Sequence, residues 1–341
     1  MKTAIVILNW NGKELLKKFL KNVVEHSQHC AHVIIADNAS TDDSIKFLKE
    51  NFPQLRIISF SENYGFAGGY NKALKEVSAE YFILLNSDVE VTARWIEPVI
   101  ELMDNNPEIV CCQPKIRSCL EKELFEHAGA AGGFIDKYGY PFCRGRMFTT
   151  LEKDTGQFNN PTEIFWATGA CMFIRSKVFH EMNGFDATFF AHMEEIDLCW
   201  RMQHKNYKIY CVPQSVVYHV GGGTLPKNNP RKTYFNFRNN LMMIHKNLPS
   251  STLFFVLIIR LILDGIAGIK FLFEGGVKDC LAVIKAHVYF YMHYSERKRL
   301  RKEIQQTIKN HNYTNIYQHS IVVNYFVKGK KSFSQLNFKN E

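Results

Sequence analysis

The stretch Leu84-Leu85-Asn86-Ser87-Asp88-Val89-Glu90, with Tyr81-Phe82-Ile83 ahead of it, decides the fold. Tyr81 to Leu85 is a short, continuous apolar run, the pattern of a strand buried on both faces. The run stops at an amide, a hydroxyl and a carboxylate. A buried parallel strand that ends this way delivers its carboxylate to the crevice outside the sheet's carboxyl edge, where α/β proteins bind ligands. Asp88 would be a hard oxygen ligand there, suited to Mg²⁺ or Mn²⁺ shared with phosphate oxygens. Asn-Ser-Asp is also ordinary turn chemistry, so the rest of the chain has to separate the two readings.

Working upstream, Ala4 to Leu8 reads as a strand that ends at Asn9-Trp10-Asn11-Gly12. A helical spacing of Leu15, Leu16, Phe19, Leu20 and Val23 follows. His32 to Ala36 is a second strand, ending at Asp37-Asn38-Ala39-Ser40-Thr41-Asp42, where Ser40 or Thr41 can cap the next helix. Leu55 to Phe60 is a third strand, ending at Glu62-Asn63-Tyr64-Gly65, and Ala67 to Val77 is a third helix. Three strand-helix alternations predict an α/β, doubly wound, mostly parallel sheet flanked by helices. Each strand ends in polar residues, so Asn9, Asn11, Asp37, Asn38, Asn63 and Asp88 should line one edge. Asp37 could take a uracil or ribose by hydrogen bonding. Gly65-Phe66-Ala67-Gly68-Gly69 puts flexible backbone at a helix start, where free N–H groups favour phosphate. It is not the Gly-x-Gly-x-x-Gly fingerprint and follows the third strand, which removes the main support for nicotinamide binding.

Downstream, Arg94 to Met103 reads as a helix carrying Pro98, and Ile109 to Cys112 as a strand. The Gly- and aromatic-rich stretch 119–161 reads as a long loop that shapes an acceptor site. A second dense cluster follows Gly184-Phe185-Asp186: Phe190-Ala191-His192-Met193-Glu194-Glu195-Ile196-Asp197. Its three carboxylates start a helix, with Glu194 and Asp197 on one face and Glu195 on another. Carboxylates at a helix start often only complement its dipole, but these directly follow a stretch that should itself be buried. Tyr207 to Val212 and Val216 to Val220 read as strands. His219 ends the second, before Gly221-Gly222-Gly223, which reads as a hinge by composition. A neutral imidazole there suits Mn²⁺, and metal affinity should fall as His219 protonates near 6.5. In Tyr234 to Asn240, Arg238 offers a guanidinium to phosphate.

Together these motifs resemble glycosyltransferase family 2, in its rhamnosyltransferase-like branch. Asn9-Trp10-Asn11, Asp37 to Asp42, Asn63 to Gly69, Asn71 and Leu85-Asn86-Ser87-Asp88 are similar to its nucleotide-binding half. Trp166, Gly169-Ala170, Gly184-Phe185-Asp186, Phe190 to Arg201 and His219 to Gly223 are similar to its acceptor half. The likeness spans Thr3 to Leu248 in the family's order. It implies a GT-A fold and inverting transfer of a sugar, rhamnose or another hexose, from a nucleoside diphosphate sugar. The acceptor would be a hydroxyl of a growing cell-surface polysaccharide or a lipid-linked glycan. Asn9, Asn11, Asp37, Asn38, Asn63, Gly65, Gly68, Asn71 and Asn86 would bind the donor, and Trp166 and Gly169 the acceptor. The resemblance also places a metal-binding histidine at His219, beside Asp88. Two positions depart from it. Asn86 stands where the metal motif usually carries its first Asp, and Glu194-Glu195 replaces the usual Glu-Asp. Glu195 is the first candidate for the base that takes the acceptor proton, with Glu194 and Asp197 close enough to compete.

Composition narrows the alternatives. The chain has 341 residues and a net charge of +9 from 42 basic and 33 acidic side chains, concentrated at Arg297-Lys298-Arg299, Arg301-Lys302 and Lys328 to Lys331. That suggests an anionic surface as partner. Three clustered carboxylates would repel nucleic acid, so none is expected, and a non-catalytic binding module is disfavoured. A sugar-nucleotide nucleotidyltransferase would need a Gly-rich, basic phosphate loop after the first strand, which Asn9 to Gly12 does not supply. Nine cysteines without Cys-x-x-Cys, and no secretory leader, predict reduced thiols in a cytosolic protein. Residues 1–248 are therefore expected to form the catalytic domain, with 1–112 as donor half and 113–248 as acceptor half. In 249–310, Arg260, Asp264, Lys270, Glu274 and Lys278 fall on one side of a helical wheel and leave a broad apolar face. That suits helices lying in the interface of the inner plasma-membrane face, their Lys and Arg meeting headgroups. A hairpin packed on the catalytic domain is the competing reading. The basic tail 311–341 is expected to be weakly ordered.

Overall fold

The computed structural model describes residues 1–221, 229–306, 308, 313, 315–336 and 338. Strands β1 (Thr3–Asn9), β2 (His32–Asp37), β3 (Arg56–Ser59) and β4 (Tyr81–Leu85) lie parallel in the order β4-β1-β2-β3. They are joined by helices α1 (Lys13–Glu25), α2 (Ser44–Asn51) and α3 (Gly65–Lys75). All five residues of β4 are buried, as its unbroken apolar run requires. Helix α1 buries Leu16, Phe19, Leu20 and Val23, the stripe read from the spacing. The strand ends are in register, Asn9 beside Asp37 and Asp37 beside Ser59, so the polar ends do line one edge.

In chain order there follow β5 (Val89–Val91), α4 (Glu97–Asn105) and β6 (Ile109–Ser118). Five short strands come next: β7 (Gly133–Asp136), β8 (Pro141–Cys143), β9 (Arg146–Met147), β10 (Thr150–Leu151) and β11 (Thr162–Glu163). Then come β12 (Cys171–Arg175), α5 (Ser176–Glu181), α6 (Glu194–Gln203) and β13 (Lys208–His219). β12 inserts antiparallel between β4 and β6, and β13 runs parallel to β6. The order is β11-β13-β6-β12-β4-β1-β2-β3, with β5 antiparallel on β13. The sheet is thus parallel in its first half and mixed in its second. Two apolar clusters cover its faces, one around Tyr70, Phe82 and Trp200, the other around Leu16, Trp95 and Phe173.

Several local expectations change. Pro98 does not interrupt a helix but sits in the first turn of α4, where a missing N–H costs nothing. The two strands read on either side of Pro213 are one, with a register shift between Val212 and Val216. Proline cannot donate to the ladder, and the irregularity accommodates it. The stretch 119–161 is not a long loop. Strands β7 to β10 form a second small sheet, completed by β14 (Ile316–Tyr317) from the tail. Much of the described tail packs on the small sheet: Tyr317, Ile321, Tyr325, Phe333 and Leu336 are buried, and Phe333 and Phe338 pack on Phe134 and Phe142. Its aromatics follow no period, so nothing local announces that they bury.

Helices α7 (Pro230–Asn247), α8 (Ser250–Phe273), α9 (Val277–Met292) and α10 (Tyr294–Gln305) complete the chain. Arg260 does not reach outward to headgroups. It is 2% exposed and paired with Asp264 at 3.1 Å, over the Tyr140 ring, and it also donates to Asn240. Asp264 accepts from Tyr140 Oη at 2.7 Å and lies 3.1 Å from His287 Nε2. A buried pair with its lone pairs filled repays its desolvation, and the pair therefore turns α8's charged middle inward. Lys270, Glu274 and Lys278 stay exposed.

Candidate active site

Antiparallel pairing of β5 with β13 sets His219 opposite Val89, the residue after Asp88. His219 Nε2 lies 3.1 Å from Asp88 Oδ1, and its Nδ1 lies 3.0 Å from Glu126 Oε2. Asn86 Nδ2 is 3.5 Å from the same Nε2. Asp88, Glu126 and His219 are all buried. Burial alone would push the imidazole pKa down, but hydrogen bonds and charge from Asp88 and Glu126 outweigh it and raise it to about 10. Without a cation the imidazole is thus held above the expected 6.5, because the sequence showed one carboxylate neighbour and the fold supplies two. Burial raises the Glu126 carboxyl, while His219 and the backbone N–H groups of Ala128 and His127 bring it net below its usual value.

An oxygen and a nitrogen donor 3.1 Å apart match two neighbouring ligands on one small divalent cation. Glu126 holds the far ring nitrogen, the arrangement that fixes a ligating histidine's tautomer and leaves Nε2 to the metal. The residues present thus fit Mg²⁺ or Mn²⁺. Gly221 is required beside them: its φ is 72°, and a Cβ there would lie 2.4 Å from Glu126 Oε1. Gly222 and Gly223, the rest of the expected hinge, lie outside the described residues.

Along the edge of β1 to β3, the asparagines brace one another. Asn9 Nδ2 donates to Asp37 Oδ1 (2.9 Å) and Ser40 Oγ (3.0 Å), leaving its buried Oδ1 without a partner among the described residues. Asn11, at φ 50°, accepts from Thr41 N at 2.7 Å. Asn38 donates to Asn63 Oδ1 and to Gly65 O, both at 3.0 Å. Asn71 is engaged on both sides by the Phe185 backbone, at 2.8 and 2.9 Å, and so holds Gly184-Phe185-Asp186 against α3.

The start of α3 does not present free N–H groups to phosphate as its glycines suggested. Phe66 N and Ala67 N donate to Phe190 O at 2.7 and 3.2 Å. Gly65, at φ 68°, is the close-approach glycine, since a Cβ there would lie 2.6 Å from the Phe190 ring. Gly68 sits one turn further, against Tyr64. This contact ties the donor edge to the loop that opens α6.

That loop is strained. Phe190, His192 and Met193 all have positive φ, at 63°, 71° and 73°. Such a run of non-glycine residues is costly and is held in place by its surroundings, a mark of functional sites. Asn239 Nδ2 donates to the carbonyls of Phe189, Ala191 and His192, and Arg238 Nη2 to those of Thr188 and Phe189. Arg238 is therefore a clamp for the loop and not the phosphate partner expected of it. Of the three carboxylates, Asp197 is fully buried and tied by Arg201 Nε (2.9 Å), Lys246 Nζ (2.8 Å) and Asn247 Nδ2 (2.9 Å). Glu194 and Glu195 each keep one buried oxygen with no partner among the described residues. Burial and mutual repulsion hold Glu194 well above the carboxylate range. Burial also pushes Glu195 up to about 7, against backbone hydrogen bonds that lower it. His192 beside them is driven down to about 4 by burial and Lys232.

Trp166, expected to meet the acceptor, lies in the core. It is 4% exposed, donates from Nε1 to Phe134 O at 2.9 Å, and its ring lies flat on Gly133. Gly169 is also buried, against Phe66. Sequence reading missed Glu126, which is 93 residues from His219, and the Lys246-Asn247 pair that secures Asp197. No local pattern marks them, because only the tertiary fold makes them neighbours.

A parallel-then-mixed sheet, with a carboxylate and a histidine at its carboxyl edge and acidic residues opening a nearby helix, is an architecture of the GT-A type. The sequence model of glycosyl transferase family 2 matches residues 4–182, and the chain belongs to that family. It is a glycosyltransferase. Among its relatives, N-acetylglucosaminyl-diphospho-decaprenol L-rhamnosyltransferase of Mycobacterium tuberculosis is 22% identical over 231 residues, 63% of this chain and 75% of that protein. The fold is similar to GalNAc-T7 crystallised with UDP, GalNAc and Mn²⁺, at a TM-score of 0.55 and 14% identity. That match covers 72% of this chain and 48% of the other, so the chain spans about half of that structure. It is also similar to the mannosyltransferase PcManGT of Pyrobaculum calidifontis in complex with GDP-Man and Mn²⁺, at a TM-score of 0.51 and 13% identity, over 90% of this chain and 85% of that one.

Proposed function

We propose that this glycosyltransferase is metal-dependent and inverting, moving rhamnose or another hexose from a nucleoside diphosphate sugar. The acceptor is a hydroxyl of a growing polysaccharide or lipid-linked glycan at the cytoplasmic face of the plasma membrane. The observation that carries the reading is the Asp88-His219 pair, 3.1 Å apart, with Glu126 behind it. Asp88 and His219 would hold Mg²⁺ or Mn²⁺. When bound, the cation supplies charge neutralisation for the diphosphate leaving group.

Donor recognition falls to the edge formed by Asn9, Asn11, Asp37, Asn38 and Asn63, whose mutual hydrogen bonds preset the loops the nucleotide meets. Asn86 reaches His219 and replaces a carboxylate, so the protein brings one fewer negative charge to the diphosphate. Glu195 accepts the acceptor proton. Its free oxygen and a pKa raised to about 7 suit a base that works near neutral pH. Burial and the charge of Glu195 both disfavour ionisation of Glu194, which leaves Glu195 the better base of the two. Asp197 is too firmly paired for the task and secures the helix start instead.

Donor binding tests the assignment. UDP-, GDP- and dTDP-sugars are titrated into the protein calorimetrically, with Mn²⁺ and with chelator. One donor class should bind in a metal-dependent way that Asp88→Ala abolishes. Equal binding by Asp88→Ala with and without metal would overturn the site.

A further inference from the structure

The inward turn of Arg260 and Asp264 has an outward consequence. Helix α8 buries Leu253, Val256, Arg260, Asp264 and Gly268, one position per turn, so its core-facing stripe is polar at the centre. The opposite face carries Phe254, Phe255, Leu261, Ile262, Ile266 and Phe273, each at least half exposed. Helix α9 packs beside it and continues the sheet of apolar side chains through Leu281, Ile284, Val288 and Met292. An apolar face of this extent, outward on two adjacent helices, marks an interaction surface and not scattered exposure.

Charge identifies the occupant. Lys270, Lys278 and Lys285 stand exposed along the hairpin, and Lys298, Arg299 and Lys302 follow on α10. Exposed acids there are fewer, and Glu274 is paired with Lys270. A second apolar patch, Phe326 and Val327, adjoins Lys328 and Lys331. Apolar faces fringed by lysine and arginine fit a bilayer with anionic headgroups.

The length and composition of α8 would also permit a crossing, since its mean hydropathy is 2.2 over the most apolar window. The clasp argues against one. Arg260 and Asp264 lie at mid-helix and are bound to Tyr140, Asn240 and His287, which keeps the middle of α8 against the catalytic domain. We propose that the α8–α9 hairpin is a membrane-docking surface that lies in the plane of an anionic bilayer and does not span it. Thr233, in the first turn of α7, donates to Asp279 of α9, and Arg238 and Asn239 of α7 hold the loop before Glu194. Only α7 thus separates the docked hairpin from the catalytic loop, which suits an acceptor delivered from lipid. The proposal deepens the reading above by naming the surface, its orientation and the lipid charge.

Co-sedimentation of the full chain with phosphatidylcholine vesicles, with and without phosphatidylglycerol, tests it. Binding should need the anionic lipid. Ile262→Glu with Ile266→Glu should weaken it roughly tenfold or more, with circular dichroism and transfer to a water-soluble acceptor unchanged. Lys278→Glu with Lys285→Glu should weaken binding to anionic vesicles. Ile262→Trp and Phe273→Trp, both exposed and about 20° apart on the helix wheel, should be quenched equally by lipids brominated near the headgroup. Quenching of either position alone by lipids brominated at the bilayer centre, position 262 for a crossing and position 273 for an inserted hairpin tip, would overturn the in-plane orientation. Failure to bind anionic vesicles, or a stable dimer in buffer that Ile262→Glu with Ile266→Glu converts to monomer without changing vesicle binding, would overturn the docking surface. Loss of transfer to every soluble acceptor by the parent chain would count against the proposed reaction and leave the vesicle result standing.

Discussion

Glu195→Gln separates the proposed base from its neighbours, because the structure predicts opposite effects on rate and stability. The side chain is nearly isosteric, so donor affinity should hold. The general base is lost, and turnover should fall by about 10²–10⁴-fold. Stability moves the other way. In the folded protein Glu195 titrates at about 7, above its ordinary 4.5. A carboxyl whose folded pKa is raised favours the native state below the unfolded value, and that advantage is lost as pH climbs from about 4.5 through 7. The shift corresponds to about 3 kcal/mol at 1.4 kcal/mol per tenfold change in proton affinity. Glu195 is partly exposed, and screening on its open side reduces this to about 1–2 kcal/mol. Glutamine never ionises, so at pH 8 the variant should unfold at higher denaturant than the parent, and at pH 5 the two should nearly coincide. In the parent, kcat should rise with pH through about 7. Steady-state transfer across pH 5.5–8.5 (assay range, roughly centred on that value), with urea unfolding at about pH 5 and pH 8, reads all of this. Unchanged turnover, or a variant less stable than the parent at pH 8, would refute the reasoning.

Asp197→Asn should instead act on the fold. It leaves Lys246 and Arg201 facing a neutral group in a fully buried site, at a cost of about 3–5 kcal/mol, read as a lower urea midpoint. Glu126→Gln should preserve the sheet but weaken Mn²⁺ binding about 10–100-fold in titration calorimetry, since the group that holds Nδ1 is altered. Gly133→Ala would set a Cβ 2.1 Å from the Trp166 indole, and overpacking of that kind should lower stability by about 1–3 kcal/mol or more, seen in thermal unfolding.

The donor half was legible because its signals are local. Five apolar residues in a row, closed by turn chemistry, match a buried strand, and Asn9, Asp37, Asn63 and Asp88 lie at or just beyond their strand ends. Periodicity and strand-end chemistry therefore determined the parallel sheet, its ligand edge and the candidate metal ligand Asp88. Asp197 shows where this stops. In sequence it was one of three equivalent carboxylates, and its distinction comes from Lys246 and Asn247, some fifty residues away on α7. The same holds for Glu126 behind His219 and for Trp166, whose burial depends on Gly133. Charge on α8 reversed its expected meaning. A helical wheel shows which residues share a face but not whether that face meets water, and Arg260 with Asp264 points inward because Tyr140, Asn240 and His287 wait there. By itself, then, the sequence determined the strands, their polar ends and the family. Only the tertiary structure decided which carboxylate is free to titrate, which histidine nitrogen is left for a cation, and which side of the C-terminal hairpin faces out. Each of those depends on desolvation and pairing between residues distant in the chain, and neither exists until the chain has folded.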